Sequence, residues 1–235
     1  MTSPPPAGVP TSYAVDPADA AFAGQAVYTR EFLARVYDPL VVRYTNRFVW
    51  RCPSTRLVKM YNEHVAATHL DVGPGTGYYL DRCRFPSQTP ALTLLDPNPN
   101  VLAAASARVK RYTPSVLAAN VLEPIDLEPE QFDSIGLSHV LHCLPGTIAS
   151  KARAFEHLEP LLKPGGLIFG STVLATGVSH NPLSRRVMSS LNQKGIFSNT
   201  ADDRQTLESV LATYFSDVQV TTRGTVALFA ARRAA

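Results

Sequence analysis

The sequence predicts an α/β fold with a doubly wound, mostly parallel sheet, on three observations. From residue 67 onward short β-rich runs alternate with helical stretches, those runs are almost continuously apolar, and the first ends in a glycine-rich turn that opens a helix. A strand buried on both faces has no solvent side to mark with polar residues, so continuous apolar runs belong to a parallel sheet covered by helices.

The elements follow in order. Residues 1–20 are rich in Pro, Ser, Thr and Ala, a composition that buries too little apolar surface to offset the entropy of ordering, and a disordered tail is expected. Residues 21–66 are expected to form a helical cap. QAVYTREFLARVYDPLVVRYTNRFVW and STRLVKMYNEHV carry apolar and aromatic residues at three- and four-residue spacings, with Pro53 and Ser54 between them.

THLDV, ALTLLD, SVLAA, FDSIGLS and GLIFGSTVL then read as strands. GYYLDRC, PNVLAAASARVKRY and TIASKARAFEHLEPLLK read as the helices between them, the last stopped by Lys163, Pro164, Gly165 and Gly166. After a helix around DDRQTLESVLATYF, the runs DVQVTTR and TVALFAARR are separated by Gly224, too little chain for a crossover, so they are expected to pair as an antiparallel hairpin. Residues 175–202 form an insertion long enough to act as a lid over a pocket.

Composition narrows the function. The chain has 235 residues, 45% of them hydrophobic and 17% charged, with a formal net charge of +3, so no broad field marks nucleic acid or a membrane as partner. Cys52, Cys83 and Cys143 lie far apart with no CxxC pair, which argues against a disulfide framework or a zinc cage and for a reducing compartment. The N-terminal residues have no basic and apolar signal pattern, and no run of eighteen apolar residues occurs, so a cytoplasmic protein is expected. The sequence leaves the oligomeric state open, a homodimer included.

The glycine turn says more. In HLDVGPGTGYYL the residues Gly73, Gly75 and Gly77 follow a strand, with Pro74 between the first two, and their missing side chains let a ligand approach the backbone. Their spacing is G-x-G-x-G rather than the G-x-G-x-x-G of dinucleotide sites, with Tyr78 where a small residue is wanted. Asp71, two residues before the turn, opposes a pyrophosphate and suits an ammonium group. Asp96 ends the second strand, where a carboxylate accepts from ribose hydroxyls, and Asn120 and Val121 follow the third, where an amide and a hydrophobe can bind and cover a purine. An amino acid, a ribose and a purine together describe S-adenosylmethionine.

On DVGPGTG, LLDPNP, AANVL, FDSIGLSHVLHCLP and LEPLLKPGGLIFGSTVL, the sequence over roughly residues 67–232 resembles the class I S-adenosylmethionine-dependent methyltransferases. The resemblance implies a Rossmann-like methyltransferase fold of seven strands over residues 67–235, with the last strand reversed, N-terminal helices and a lid insertion. Carried over by position, Asp71, Gly73 and Gly75 would meet the methionine part, with Pro74 and Gly77 of the same turn also binding the cofactor, Asp96 and Pro97 would meet ribose, and Asn120 and Val121 adenine. Ser138 and His139 would lie below the sulfonium. Many relatives have Asp where this chain has Asn120, which is expected to alter affinity modestly.

The acceptor implied is a small molecule, a secondary metabolite being the expected class, methylated on O, N or C. No metal is required, because the methyl group is already activated. His139 is the candidate general base for a hydroxyl acceptor, whereas His142 and Cys143 are expected to pack. Tyr28, Tyr37, Tyr44, Phe48 and Trp50 read first as core; among them Tyr37 and Trp50 are candidates to face the cofactor's cation. Arg185, Arg186 and Lys194 read as solvated surface, or as a greeting for an anionic substrate. The N-P-P-[FY] motif of base N-methyltransferases is absent after the fourth strand, which disfavours DNA or RNA as the acceptor. The rivals are a nicotinamide-dependent oxidoreductase, disfavoured by the glycine spacing, and a non-catalytic S-adenosylmethionine-binding module.

Overall fold

The computed structural model describes residues 24–235; the expected tail over 1–20 and the first residues of the cap lie outside them. Seven strands form one sheet in the order β3-β2-β1-β4-β5-β7-β6. They are β1 Thr68–Val72, β2 Ala91–Leu95, β3 Ser115–Leu117, β4 Phe132–Ser138, β5 Leu162–Val173, β6 Ser216–Arg223 and β7 Val226–Arg232. The first five pair in parallel, while β7 runs antiparallel to both β5 and β6. The terminal hairpin is thus present as expected, its last strand wedged between β5 and β6.

The principal helices are α1 Arg30–Arg35, α2 Ser54–His64, α3 Tyr78–Arg82, α4 Pro99–Arg108, α5 Ile148–Lys151, α6 Arg153–Leu158, α7 Pro182–Gln193 and α8 Arg204–Tyr214. On one face of the sheet Leu57, Tyr61, Leu80, Leu102 and Ala105 pack over Leu92, Leu94 and Phe169. The other face buries Ile135, Ile168 and Phe229 beneath Phe155, Leu158, Leu207 and Leu211. Side chains on both faces of the central strands are therefore covered, and in β1 even the polar His69 and Asp71, which alternate with Leu70 and Val72, are buried.

Two elements depart from the periodicity. The stretch over 25–50 is not one kind of helix: a single 3-10 turn Gln25–Val27 precedes α1, and Tyr37–Val49 is π-helical. Pro39 accounts for the break. It lacks an amide hydrogen and clashes with a preceding carbonyl inside an α-helix, and here it stands in the first turn of a new segment, where that hydrogen has no partner to lose. The second departure is β5, which begins at Leu162 rather than after the Lys163-Pro164-Gly165-Gly166 run. A register shift between Phe132 and Ser134 absorbs those residues as an irregularity within the strand.

The insertion over 175–202 contains the twelve-residue helix α7. Its two ends meet: Asp202 O accepts from Ala175 N–H at 2.9 Å and from Thr176 N–H at 3.1 Å. Lys151 Nζ, buried in α5, donates to Asp202 Oδ2 at 2.8 Å and to Ser198 O at 2.6 Å, which fastens the insertion to the domain. No helix among the described residues is long and apolar enough to cross a membrane.

Candidate active site

The order of the sheet reverses direction between β1 and β4, and such a switch point leaves a crevice at the carboxyl ends of the strands. Two adjoining cavities occupy it, with about 750 and 670 Å³ of atom-free space, mouths included. They share Tyr28, Tyr37, Gly73, Ser138, His139 and Cys143 as common wall. Gly75, Asp96, Pro97, Asn120 and Val121 line the first; Asp71, Pro74 and Trp50 line the second.

The strand ends set these positions. Asp71 lies opposite Leu94 of β2 and Gly136 of β4, so the tips of the three strands stand side by side. Gly73 and Gly75 both have positive φ, at 65° and 56°, a left-handed backbone that a side chain disfavours. A Cβ on Gly73 would sit 2.5 Å from Val140 Cγ2, and one on Gly75 would sit 3.0 Å from the Tyr37 hydroxyl. Gly77 is the exception among the predicted residues. It lines neither cavity, and its open side faces the backbone of Ala105 in α4, a packing position for the loop.

Asp96 is buried at the end of β2, with Oδ1 accepting from Asn98 N–H at 2.8 Å, and burial pushes its carboxyl up to about 7. Asn120 Oδ1 accepts from Leu122 N–H at 3.0 Å, which leaves the oxygen one lone pair for a ligand. Ser138 Oγ and His139 Nε2 are buried at the end of β4 without a hydrogen-bond partner among the described residues, although both residues line the cavities. Buried polar atoms are seldom left so, and a pair facing a cavity marks a ligand's place.

His139 leaves the sheet with φ at 59°, a strained conformation for a residue with a side chain, held by its N–H donating to Ser171 O at 2.8 Å. Burial lowers its imidazole to about 4. His142 was expected to pack, yet it lines the second cavity. Its Nδ1 accepts from Val173 N–H at 3.2 Å, so the ring hydrogen of the neutral form is on Nε2. Cys143 also faces both cavities, but burial pushes its thiol up to about 12, which keeps it protonated and unreactive.

The remaining walls come from segments distant in sequence. Tyr28 and Tyr37 reach in from the cap, which the second strand's own exit loop holds: Asn98 Nδ2 donates to Gln25 O at 3.1 Å and Asn100 Nδ2 to Tyr28 O at 3.3 Å. Asp38, next to Tyr37, pairs with Arg108 at 2.7 Å and accepts from Thr76 Oγ1 at 2.6 Å. Trp50 stacks on Phe197 of the insertion, and Phe197 meets the edge of His142, with ring centroids 5.9 and 4.3 Å apart. Tyr44 and Phe48, by contrast, are about half exposed on the outer side of the same π-helical segment. Phe197 carries no local signature in the sequence. His69 and Tyr61, both against Asp71, were equally silent, although the two-residue spacing of His69 and Asp71 in a strand does place them on one face.

The groups present fit S-adenosylmethionine: two glycines whose Cβ positions are crowded, a carboxylate at each of two strand tips, and unpartnered polar atoms at a third. The comparisons agree. Residues 70–168 match the family model described as a methyltransferase domain. The chain is 42% identical over 208 residues to a demethylluteothin O-methyltransferase of Streptomyces thioluteus, covering 88% of this chain and 90% of that protein. It is 37% identical over 212 residues to a physcion biosynthesis cluster O-methyltransferase of Aspergillus chevalieri, covering 89% and 95%. Among solved structures, the N-methyltransferase NodS of Bradyrhizobium japonicum WM9 in complex with S-adenosyl-L-homocysteine superimposes with a TM-score of 0.62 at 19% identity, over 90% of this chain and 98% of that one. At that identity the likeness speaks for the fold. With the strand order, the glycine loop and these relatives together, the chain belongs to the S-adenosylmethionine-dependent methyltransferases of the Rossmann-like class.

Proposed function

We propose that the protein transfers the methyl group to a hydroxyl of a neutral, largely apolar small molecule, a secondary metabolite, with His139 as general base. One observation carries this reading. Among the described residues no Asp, Glu, Lys or Arg apart from Asp71 and Asp96 lines either cavity, while Tyr28, Tyr37, Trp50 and Phe197 do. A charged acceptor would lose its hydration there without gaining a partner, whereas an apolar ring system would be covered on several sides. The O-methyltransferase names of the two relatives support the same acceptor atom.

In this reading Asp96 and Pro97 hold the ribose, and Asn120 and Val121 the adenine. Asp71, Gly73, Pro74 and Gly75 receive the amino-acid end, with Gly77 supporting the turn from behind. Ser138, His139, Tyr37 and Trp50 border the sulfur and the acceptor. When bound, S-adenosylmethionine supplies a methyl group on a positively charged sulfur that is neutral once the methyl has gone.

His139 Nε2 accepts the hydroxyl proton. Its low proton affinity in the protein alone comes from burial, which penalises a net charge in the cavity. A proton that arrives while another positive charge is being removed leaves that net charge unchanged, so burial opposes the transfer far less than it opposes simple protonation. The cap and insertion exclude water and hold the acceptor oxygen near the reacting carbon.

The test is release of S-adenosylhomocysteine with paired hydroxyl and amine acceptors of similar apolar shape, measured for the protein and its His139→Ala variant. Hydroxyl acceptors are expected to turn over, and the variant to lose about 10²–10⁴-fold in kcat with cofactor affinity within about twofold. The base must be unprotonated, so with S-adenosylmethionine kept saturating at every pH the acceptor's kcat/KM should hold constant down through neutral pH and fall only as pH approaches about 4. Equal turnover in the variant assigns His139 a structural role, and preference for the amine overturns the acceptor class.

A further inference from the structure

Beneath the cavities lies a buried polar chain that methyl transfer does not require. Tyr61 Oη donates to Asp71 Oδ2 at 2.8 Å, and His69 Nε2 stands 3.3 Å from the same oxygen. On the far side of the ring, His69 Nδ1 is 2.8 Å from Ser134 Oγ, which itself accepts from Ala66 N–H at 2.8 Å. His69, Asp71, Ser134 and Tyr61 are all at most 1% exposed.

The carboxylate side orients the ring. Nδ1 stands 2.8 Å from Ser134 Oγ, which itself accepts from the Ala66 amide, and 3.1 Å from the Ser134 carbonyl oxygen, so that side alone does not choose a tautomer; Nε2 faces Asp71 Oδ2 and carries the hydrogen that points at it. With the hydrogen on Nδ1 instead, a nitrogen lone pair would face an ionised carboxylate. The ring cannot swing away, because it stacks on Phe169 at 5.7 Å and is met edge-on by Tyr61 and Phe85. Room for the chain comes from Gly136 in β4, where a Cβ would sit 2.9 Å from Asp71 Oδ2 and 3.2 Å from the His69 ring. Both donors converge on Oδ2, and among the described residues Oδ1 has no such partner.

We propose that Tyr61, His69 and Ser134 are positioning residues that lock Asp71 by one oxygen so that the other is presented to the ammonium group of the cofactor's amino-acid end. This rests on the reading of Asp71 given above. A carboxylate free to rotate about its last bond shares its charge among orientations; one clamped at Oδ2 has already lost that freedom before the ligand arrives. His69 lines neither cavity and so acts through Asp71, whereas Tyr61 also borders the second cavity.

Calorimetry on the whole protein with two ligands tests it: S-adenosylhomocysteine, and 5′-methylthioadenosine, which keeps the nucleoside and sulfur but lacks the amino acid. Tyr61→Phe and His69→Leu are each expected to weaken the first by about three- to twelvefold, the cost of ordering a carboxylate no longer held in place, and to leave the second within about twofold. His69→Gln, whose amide can reach the position of Nε2, should recover most of the affinity. In an Asp71→Asn background Tyr61→Phe should have no further effect; a persisting effect would mean that Tyr61 touches the ligand directly and overturn its assigned role. Equal weakening of both ligands, or of neither, overturns the relay. If Asp71→Asn itself leaves the ratio of the two affinities unchanged, the underlying reading of Asp71 fails, whereas a changed ratio there with an unchanged one in Tyr61→Phe and His69→Leu sinks only the relay.

Discussion

Replacing Asp96 by Asn is expected to weaken S-adenosylmethionine binding by about 10- to 150-fold, the 1.5–3 kcal/mol of hydrogen bonds to an ionised carboxylate, and at the same time to stabilise the ligand-free protein above neutral pH. The second half follows from burial. Asp96 sits near 7 in the folded protein, above the ~3.9 of an unfolded chain, so between those values the folded state binds more protons. Its contribution to stability is therefore fully present below about pH 4 and is lost as pH rises through about 7, by up to about 4 kcal/mol. Above pH 7 the protein holds a buried charge, which ribose hydroxyls would offset in the proposed seat and an amide would not need.

Binding and titration are then linked. Ribose in the proposed seat would favour the ionised carboxylate, so below about pH 7 each ligand bound is expected to release a proton, and affinity should rise by up to about tenfold per pH unit before levelling off above 7. Titration calorimetry in buffers of differing ionisation enthalpy reads that proton directly. No proton release at pH 6, or an Asp96→Asn variant that retains the pH slope, would place the ribose elsewhere.

The second large effect concerns stability alone. Lys151 and Asp202 form an ion pair in which each side chain is 1% exposed, and burial lowers the ammonium and raises the carboxyl from their ordinary values. Lys151→Met leaves the carboxylate buried and uncompensated, and breaking a buried pair this way costs about 3–5 kcal/mol, equivalent to a fall in Tm of roughly 6–20 °C. Lys151→Met combined with Asp202→Leu should recover much of that loss, because an apolar pair of similar volume avoids desolvation altogether. Chemical denaturation of the three variants decides the matter, and a Lys151→Met protein within 1 kcal/mol of the parent would show that water reaches the pair.

The sheet was legible because its physics is local. Runs such as ALTLLD and GLIFGSTVL carry apolar residues on both faces, and Gly224 alone between two runs permits only a hairpin. The cap was less so, since a periodic pattern does not say which kind of helix it forms and Pro39 starts a new segment. The run over 163–166 looks like a helix stop, but the helix has already ended at Leu158 and its 3-10 turn at Leu161, and the run lies inside a strand whose pairing with Phe132 and Ser134 sits far away in the chain.

The same division holds at the site. Residues of the candidate nucleoside seat follow strands in short motifs, so Asp71, Asp96 and Asn120 could be named from spacing. The wall facing the acceptor joins Tyr28, Trp50 and Phe197, which come together only after cap and insertion fold onto the sheet. His69 went unnoticed for another reason: a histidine within an apolar run reads as core, and only its distance to Asp71 gives it a second meaning.

The two ends of the insertion are drawn together at a narrow neck, where the carbonyl of Asp202 takes the amides of Ala175 and Thr176. Between those ends the stretch that carries α7 can vary in length and content, while Ser198, Asn199 and Asp202 must stay, because they hold Lys151 and the carbonyls of His142 and Val173. Evolution, or an engineer, could exchange that middle stretch as a cassette, reshaping the wall that Phe197 forms while the candidate nucleoside seat on the opposite wall stays untouched.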